Sequence, residues 1–526
     1  MSVENATKVI VIGAGIGGLT SATLLAQAGY AVTVLEAQTY AGGCASTFYS
    51  KGYRFESGAT VVGGFQPNGP HAIVGDMLDL DWQIHKHDPA WVTHIPDRSI
   101  ALTANNDDVI AKFPDTAKFW QQQSKIADLG WKLSAQGLPF PARDMAEVWQ
   151  LIKVGLSNFP QDLRLIPFAF STVYDWLKWH GLHTNQAFVR FLDAQLLISA
   201  QTTTKHVNAL YGATALDLAR QGVFHVEGGI GGIAETLVEK LESLNGRIEY
   251  RRRVTDVVVK NGEVIGVYAK KGRHTKTRDF YPADVVIANT TPWNLNQLLG
   301  ENSPTRLQRE VKKRDLGWGA FVLHLGVKAD ALPNDLPDHH QIITQMHGEL
   351  GEGRSIFISM SPQWDKSRAP DGERTVTITT HTNVQQWWDL LESDESAYYA
   401  KKDAYTENLI NTIDTIIDGF KDAITLVMAG TPVTYNFYTN RHKGMVGGFP
   451  QTSLFKMRSP RTGIKNLRLV GDSIFPGQST AGVTLGAIRV AKDIQRNIPL
   501  SKSKHPTKVV TDTAHRDPKT ILEPMV

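Results

Sequence analysis

Gly13, Gly15 and Gly18, in the stretch VIGAGIGGLT, have the spacing of a turn that holds a dinucleotide. The first glycine permits a tight turn, the second lets backbone approach a pyrophosphate, and the third brings a helix close to a strand. Glu36 comes eighteen residues after Gly18, where an acid accepts a hydrogen bond from a ribose hydroxyl and disfavours a 2′-phosphate. Gly42 and Gly43 follow in LEAQTYAGGCASTF. A nicotinamide dinucleotide needs no glycine pair there. A longer ligand, lying extended past the first unit, needs close backbone approach again.

The elements around these residues supply the required context. KVIVI, residues 8–12, reads as a buried strand stopped by glycine. Residues 15–28 read as a helix, with Leu19, Ala22 and Ala26 at helical spacing and Gly29 as its stop. AVTVLE is a second strand that delivers Glu36. From about 91 to 219 the pattern is helical and rich in aromatics. FHVEGGIGG then leads into a helix over IAETLVEKLESLNG, and RIEYRRRVTDVVVKNGEVIGVYAK reads as strands joined by a hairpin at KNGE. Further strands are expected in ADVVIANTTP and within 320–382. A strand-to-helix unit, LRLVGDSIFPGQSTAGVTLGAIRVAKDI, closes the folded part, and the polar tail 501–526 is expected to be disordered.

At 526 residues the chain exceeds one ordinary core, so two domains are expected. A net charge of +3 with both signs nearly balanced gives no footprint for nucleic acid. One cysteine, Cys44, forbids an intramolecular disulfide and fits a reducing compartment. The N-terminus lacks the marks of a signal peptide, and no run of eighteen apolar residues predicts a spanning helix. An intracellular protein, soluble or on a membrane surface, is expected.

Three separated segments resemble the amine oxidase and phytoene desaturase superfamily. E-A-x-x-x-x-G-G-x-x-x-T, beginning at Glu36 and Ala37, is similar to its extended FAD signature, and RRRVTDVVV to the strand whose Val254 backbone lies by the adenine. LVGDSIFPGQSTAGVTLGA resembles its second FAD motif, in which Asp472 binds the ribityl chain and Gly482 and Val483 open a helix aimed at the isoalloxazine. Gly58, Ala59 and Thr60, in ESGATVV, match a segment that passes close to the flavin. Ala14, Gly17 and Gly471 complete the implied cofactor contacts. The resemblance implies an α/β, two-domain FAD-dependent oxidoreductase. Its Rossmann-like FAD domain would be discontinuous (1–90, 220–310 and 456–500), and residues 91–219 and 311–455 would form a mixed α+β substrate domain.

GGCASTFYSKGYRFESGATVVGGFQPNGPH, GVFHVEGGIGGIAETLVEKLE, RTVTITTHTN and GTPVTYNFYTNRHKGMVGGFPQ are similar to the carotenoid desaturase and carotene isomerase branch, most of all its cyanobacterial 3′,4′-desaturase type. This likeness implies hydride transfer from a C–C bond beside a polyene to flavin N5. It leaves open a redox-neutral cis–trans isomerase, a retinol-saturase-like reductase and a flavin-free lipid-binding relative. The carotenoid would come from a membrane, and oxygen or a quinone are possible electron acceptors. No residue is singled out to take the proton.

Trp149, Phe159, Phe168, Phe170, Trp176 and Trp179, with Lys153, Arg164 and Lys178 between them, suit either a membrane-interface surface or the core of the substrate domain. Cys44 reads as a packing residue rather than a redox thiol. His85, His87, His339 and His340 lack a ligand set with metal spacing and are expected at the surface, so no metal is expected. Lys312, Lys313 and Arg314, and the run Arg251, Arg252 and Arg253, read as solvated faces.

Overall fold

After Lys8 the strand Lys8–Ile12 is buried throughout, and so continuous an apolar strand needs cover on both faces. In the computed structural model, which describes residues 6–272 and 275–500, it is the centre of a five-stranded parallel sheet. The order is Leu467–Leu469, Val285–Ala288, Lys8–Ile12, Ala31–Leu35, Arg247–Glu249. The chain therefore leaves the central strand for one side first and returns to the other side much later.

The helix Ile16–Gln27 is buried from Ile16 to Ala26 and packs against the helices Gly232–Ser243 and Ser479–Asn497. Its small residues permit that approach, and two of its buried hydroxyls bond back to the helix's own carbonyls. Ser21 Oγ donates to Gly17 O at 2.9 Å, and Thr23 Oγ1 donates to Leu19 O at 2.9 Å.

A second sheet has seven strands in the order Ile424–Gly430, Trp318–Lys328, Glu373–Asn383, Ser355–Met360, His339–Ile343, Trp91–Ile95, Arg98–Leu102. All neighbours are antiparallel except His339–Ile343 beside Trp91–Ile95. Residues 91–102 thus form a hairpin, contrary to the helical pattern expected from 91. The period-two burial of Trp91, Thr93 and Ile95 is only five residues long, and its partner strand lies far along the chain. From Asp107 to Gln221 the regular structure is helical, including Ala117–Ala135, Met145–Asn158 and Gln186–Ala200. A third, three-stranded sheet contains Arg252–Lys260 and Glu263–Lys271, joined at Asn261 and Gly262, both with positive φ as a tight hairpin turn requires.

His339 and His340 correct the expectation of surface histidines. Every residue of His339–Ile343 is buried, so alternation along the strand leaves neither imidazole in water. His339 Nδ1 meets Ser359 Oγ at 3.0 Å and His340 Nε2 meets Pro337 O at 2.9 Å. Burial holds the His340 imidazole down to about 4. His85 is exposed. Among the described residues no helix is long and apolar enough to cross a membrane, and no group of His, Cys, Asp and Glu is arranged to hold a metal ion. The tail 501–526 lies outside the described residues.

Candidate active site

Parallel strands end on the same edge. The carboxyl ends of Lys8–Ile12, Ala31–Leu35, Val285–Ala288 and Leu467–Leu469 therefore open on one crevice, at the point where the strand order reverses. Gly13 N donates to Leu35 O at 2.9 Å, closing the turn between the first two strands. A Cβ on Gly18 would lie 2.3 Å from Gly13 O, so only glycine lets the helix start there. The helix Ile16–Gln27 has no side-chain cap and no acid in its first turn, which leaves its positive end available to an anion.

Glu36 is buried at the rim of this turn. Its Oε2 accepts from Ala14 N at 2.7 Å and its Oε1 from Gln38 N at 2.8 Å. Burial pushes its carboxyl up, opposed by the N–H groups of Ala14, Gln38 and Ala37 and by the Arg253 charge. The second glycine pair folds back on the first. Gly42, at φ +110°, donates its N–H to Ala14 O at 2.8 Å and bridges to Gly15.

On the far side Asp472 Oδ2 stands 2.9 Å from Arg441 Nη1. The same guanidinium donates through Nε to Met445 O at 2.8 Å and through Nη2 to Gly447 O at 2.5 Å. Tyr435 is buried beside it, within hydrogen-bond reach of Cys44, and burial raises its hydroxyl well above the ordinary value.

These groups line one cavity of about 1230 Å³. It reaches from Glu36 and Arg253, past Gly15, Gly43 and Asp472, to an apolar chamber walled by Trp91, Ile198, Leu218, Val322 and Phe357. His324 and His381 also face the cavity, and burial lowers each to about 4, so both imidazoles are neutral at neutral pH. His324 is held edge-on to Phe48 at 5.1 Å, and its Nδ1 is buried with no hydrogen-bond partner among the described residues.

Of the residues expected to contact a cofactor, all but Ala14, Gly18 and Gly482 are on the cavity wall. Ala14 acts through its N–H on Glu36. Gly18 and Gly482 are contact points within the fold, since a Cβ on Gly482 would meet Gly477 O at 2.1 Å. Arg251, Arg252 and Arg253, read as a solvated face, also line the cavity, because Arg251 N and Arg252 N are hydrogen-bonded to Gln38 O and Glu36 O. Arg441, Tyr435 and His324 went unnoticed in sequence. No short-range spacing marks them, and only the register of the second sheet points to His324, two and four residues after the wall residues Val322 and Ala320.

The residues present fit FAD. An uncapped helix end, the Glu36 carboxylate and the Asp472 carboxylate line a single cavity that runs on beyond the glycine turn. Residues 11–78 match the NAD(P)-binding Rossmann-like domain, and residues 182–495 match the flavin containing amine oxidoreductase family, to which this chain belongs. It is an FAD-dependent oxidoreductase. Within that family it is a member of the carotenoid desaturase and isomerase branch.

Prolycopene isomerase 1 of an Oncidium hybrid cultivar, a chloroplastic protein, is 29% identical, over 94% of this chain and 84% of its own length. The neurosporene-forming phytoene desaturase of Cereibacter sphaeroides is 24% identical, over 95% and 96%. The all-trans-retinol 13,14-reductase of Danio rerio is 25% identical, over 92% and 86%. A putrescine oxidase structure with bound putrescine shares the fold, with a TM-score of 0.60, 16% identity and coverage of 93% and 99%.

Proposed function

We propose that this protein desaturates an acyclic or monocyclic carotenoid at a C–C bond beside the polyene, of the 3′,4′ type. The observation that carries the reading is the continuity of the cavity, which joins a dinucleotide cradle to an apolar chamber. FAD, when bound, supplies the two-electron acceptor. The turn from Gly13 to Gly18 and the helix end behind it would hold its pyrophosphate, Glu36 its ribose, and Asp472 its ribityl chain. The Val254 backbone, on the cavity wall, would border the adenine. Gly58, Ala59, Thr60 and Val483 shape the wall beside the reacting bond.

Trp91, Ile198, Leu218, Val322 and Phe357 hold the polyene and keep water out, so orientation supplies much of the rate. The hydride leaves one carbon and a proton leaves its neighbour, and the electron pair of that second C–H bond becomes the new C=C. His324 Nδ1 receives the proton. It is buried, neutral and without another partner among the described residues. A weak base suffices, because a C–H beside a delocalised cation is strongly acidic. Oxygen or a quinone then takes the two electrons.

A second reading, redox-neutral cis–trans isomerisation with reduced FAD, is favoured by the prolycopene isomerases among the relatives. The experiment mixes oxidised holoenzyme anaerobically with a hydroxylated lycopene precursor in micelles. Bleaching of the flavin band together with a red shift of the polyene supports desaturation. Change of a cis carotenoid only after the flavin has been reduced, with no net oxidation, supports isomerisation instead.

A further inference from the structure

His71 is 1% exposed, in the first turn of the helix Pro70–Leu78, and is not on the cavity wall. Its surroundings hold it in place. Phe65 stacks on the ring at 4.7 Å and Trp82 meets it edge-on at 6.1 Å. Its own N–H donates to Gly64 O at 2.9 Å, and its carbonyl accepts from Trp82 Nε1 at 3.0 Å. Both ring nitrogens are spent on one neighbour, the helix Ser479–Asn497. Nε2 meets Thr480 Oγ1 at 3.1 Å, and Nδ1 meets Thr484 Oγ1 at 3.5 Å. Of these three residues only Thr480 is on the cavity wall, where it is half-buried.

We propose that His71 is a positioning residue for the cofactor, which fixes the Thr480 hydroxyl as a hydrogen-bond donor into the cavity. A count of protons sets the direction. Burial lowers His71 to about 3, so its imidazole is neutral and carries a single N–H. Thr484 is 1% exposed, and the His71 ring is its hydroxyl's only partner among the described residues. A buried O–H needs an acceptor, so Thr484 donates to Nδ1. The ring proton is then on Nε2, which donates to Thr480 Oγ1. Thr480 keeps its own proton to give, and the cavity is where a further acceptor can stand.

Placement gives that proton a use. Thr480 is in the first turn of the helix assigned to the isoalloxazine, just ahead of Gly482 and Val483. One main-chain donor of that turn is already committed, since Gly482 N donates to Ser479 Oγ at 3.2 Å. Ser479 is itself at φ +67°, a left-handed conformation that is costly for a residue with a Cβ and that clusters at functional sites.

A flavin gains negative charge when it is reduced, and a hydrogen bond to an anion is roughly twice as strong as one to a neutral group. Thr480 therefore favours the reduced cofactor over the oxidised one. Thr484, off the cavity wall, acts on the same balance through His71. This role rests on the placement of FAD proposed for the cavity and does not involve the carotenoid.

The test is the reduction potential of the bound flavin, read by equilibrating the holoenzyme's absorbance band with a dye of known potential. T480V and T484V each remove one hydroxyl at nearly constant shape. Each should shift the balance about tenfold toward oxidised flavin, which is about 30 mV for a two-electron couple. T480S keeps the donor and should match the wild type. H71Q should match it too, because an amide accepts from Thr484 and donates to Thr480, whereas H71L should fall with T484V.

An unchanged potential in T480V overturns the proposed donor. A lowered potential in T480V beside an unchanged one in T484V overturns the role of His71, since a part confined to packing would cost T484V stability alone. T484V decides the matter if H71L does not fold. A purified protein with no flavin band, and none after incubation with FAD, overturns the cofactor placement and this role together. Shifted potentials in a protein that turns over no carotenoid uphold this role and refute only the desaturase reading.

Discussion

Arg441 and Asp472 form an ion pair at 2.9 Å on the wall of the cavity, with side chains 15% and 17% exposed. The Asp472 carboxylate assigned to the ribityl chain is thus already held by a guanidinium, which also ties down the carbonyls of Met445 and Gly447. Arg441 contributes both charge and position.

Replacing Arg441 by Met leaves a largely buried carboxylate uncompensated, which costs about 3–5 kcal/mol. Urea denaturation of the holoenzyme should show that loss, and flavin should dissociate more readily on dilution. R441M/D472N, which removes both charges, should recover much of the stability but not the flavin affinity. An R441M protein within about 0.5 kcal/mol of the wild type would refute the role given to this pair.

Gly18→Ala places a methyl 2.3 Å from Gly13 O, a backbone atom that moves only if the turn opens. The turn is where the pyrophosphate is proposed to sit, so the flavin content of the purified protein should fall at least about tenfold. Absorbance at the flavin band per polypeptide measures it. Full occupancy in G18A would mean that the turn is not the cradle.

His324→Gln removes the proposed proton acceptor without emptying the space it fills. Turnover should fall by about 10²–10⁴-fold, with flavin occupancy and substrate affinity close to wild type. Anaerobic stopped-flow reads the flavin reduction step directly. An unchanged rate of reduction would remove His324 from the mechanism.

The buried imidazoles also set a pH dependence of stability. His324, His340 and His381 are each lowered from 6.5 to about 4 by burial. Above pH 6.5 both the folded and the unfolded chain leave them neutral, and their contribution is complete. Between 6.5 and 4 the unfolded chain binds protons that the folded chain refuses, so stability falls with pH by about 1.4 kcal/mol per unit for each imidazole. Urea titrations at pH 7.5, 6.5 and 5.5 should give a flat segment from these groups and then a steep one. A loss below pH 6.5 of less than one proton's worth would show that these rings are open to water.

The first strand–turn–helix–strand unit was legible because its signals are local. KVIVI, the three glycines and Glu36 lie within twenty-nine residues, between Lys8 and Glu36, and each rule they obey acts over a few bonds. The aromatic stretch was legible only as an ambiguity, since aromatics at helical spacing serve a core and an interface equally well. The structure divides them. Phe168 and Trp176 are buried, and Trp149, Phe159, Phe170 and Trp179 are exposed.

What sequence reading missed depends on pairing at long range. The hairpin 91–102 is fixed by His339–Ile343, and the burial of His340 by cover on both faces of that sheet. Arg441 belongs to the site because the chain returns to Asp472, which nothing near Arg441 announces. Residues 470–490 carry Asp472 and also begin the helix Ser479–Asn497, which packs on Ile16–Gln27, so deleting them would remove part of the core along with the site.

The order of the parallel sheet bears on how the protein is made. The edge strand Leu467–Leu469 and the helix that covers Ile16–Gln27 are translated more than four hundred residues after the strand Lys8–Ile12 and its turn. At about 5–20 residues per second, the nascent dinucleotide unit waits roughly 20 to 90 s with one flank uncovered. The cradle is complete only once the segment carrying Leu467–Leu469, Asp472 and Ser479–Asn497 has been made. The uncovered apolar side of the helix Ile16–Gln27 is, during that wait, the kind of surface that aggregates unless it is shielded.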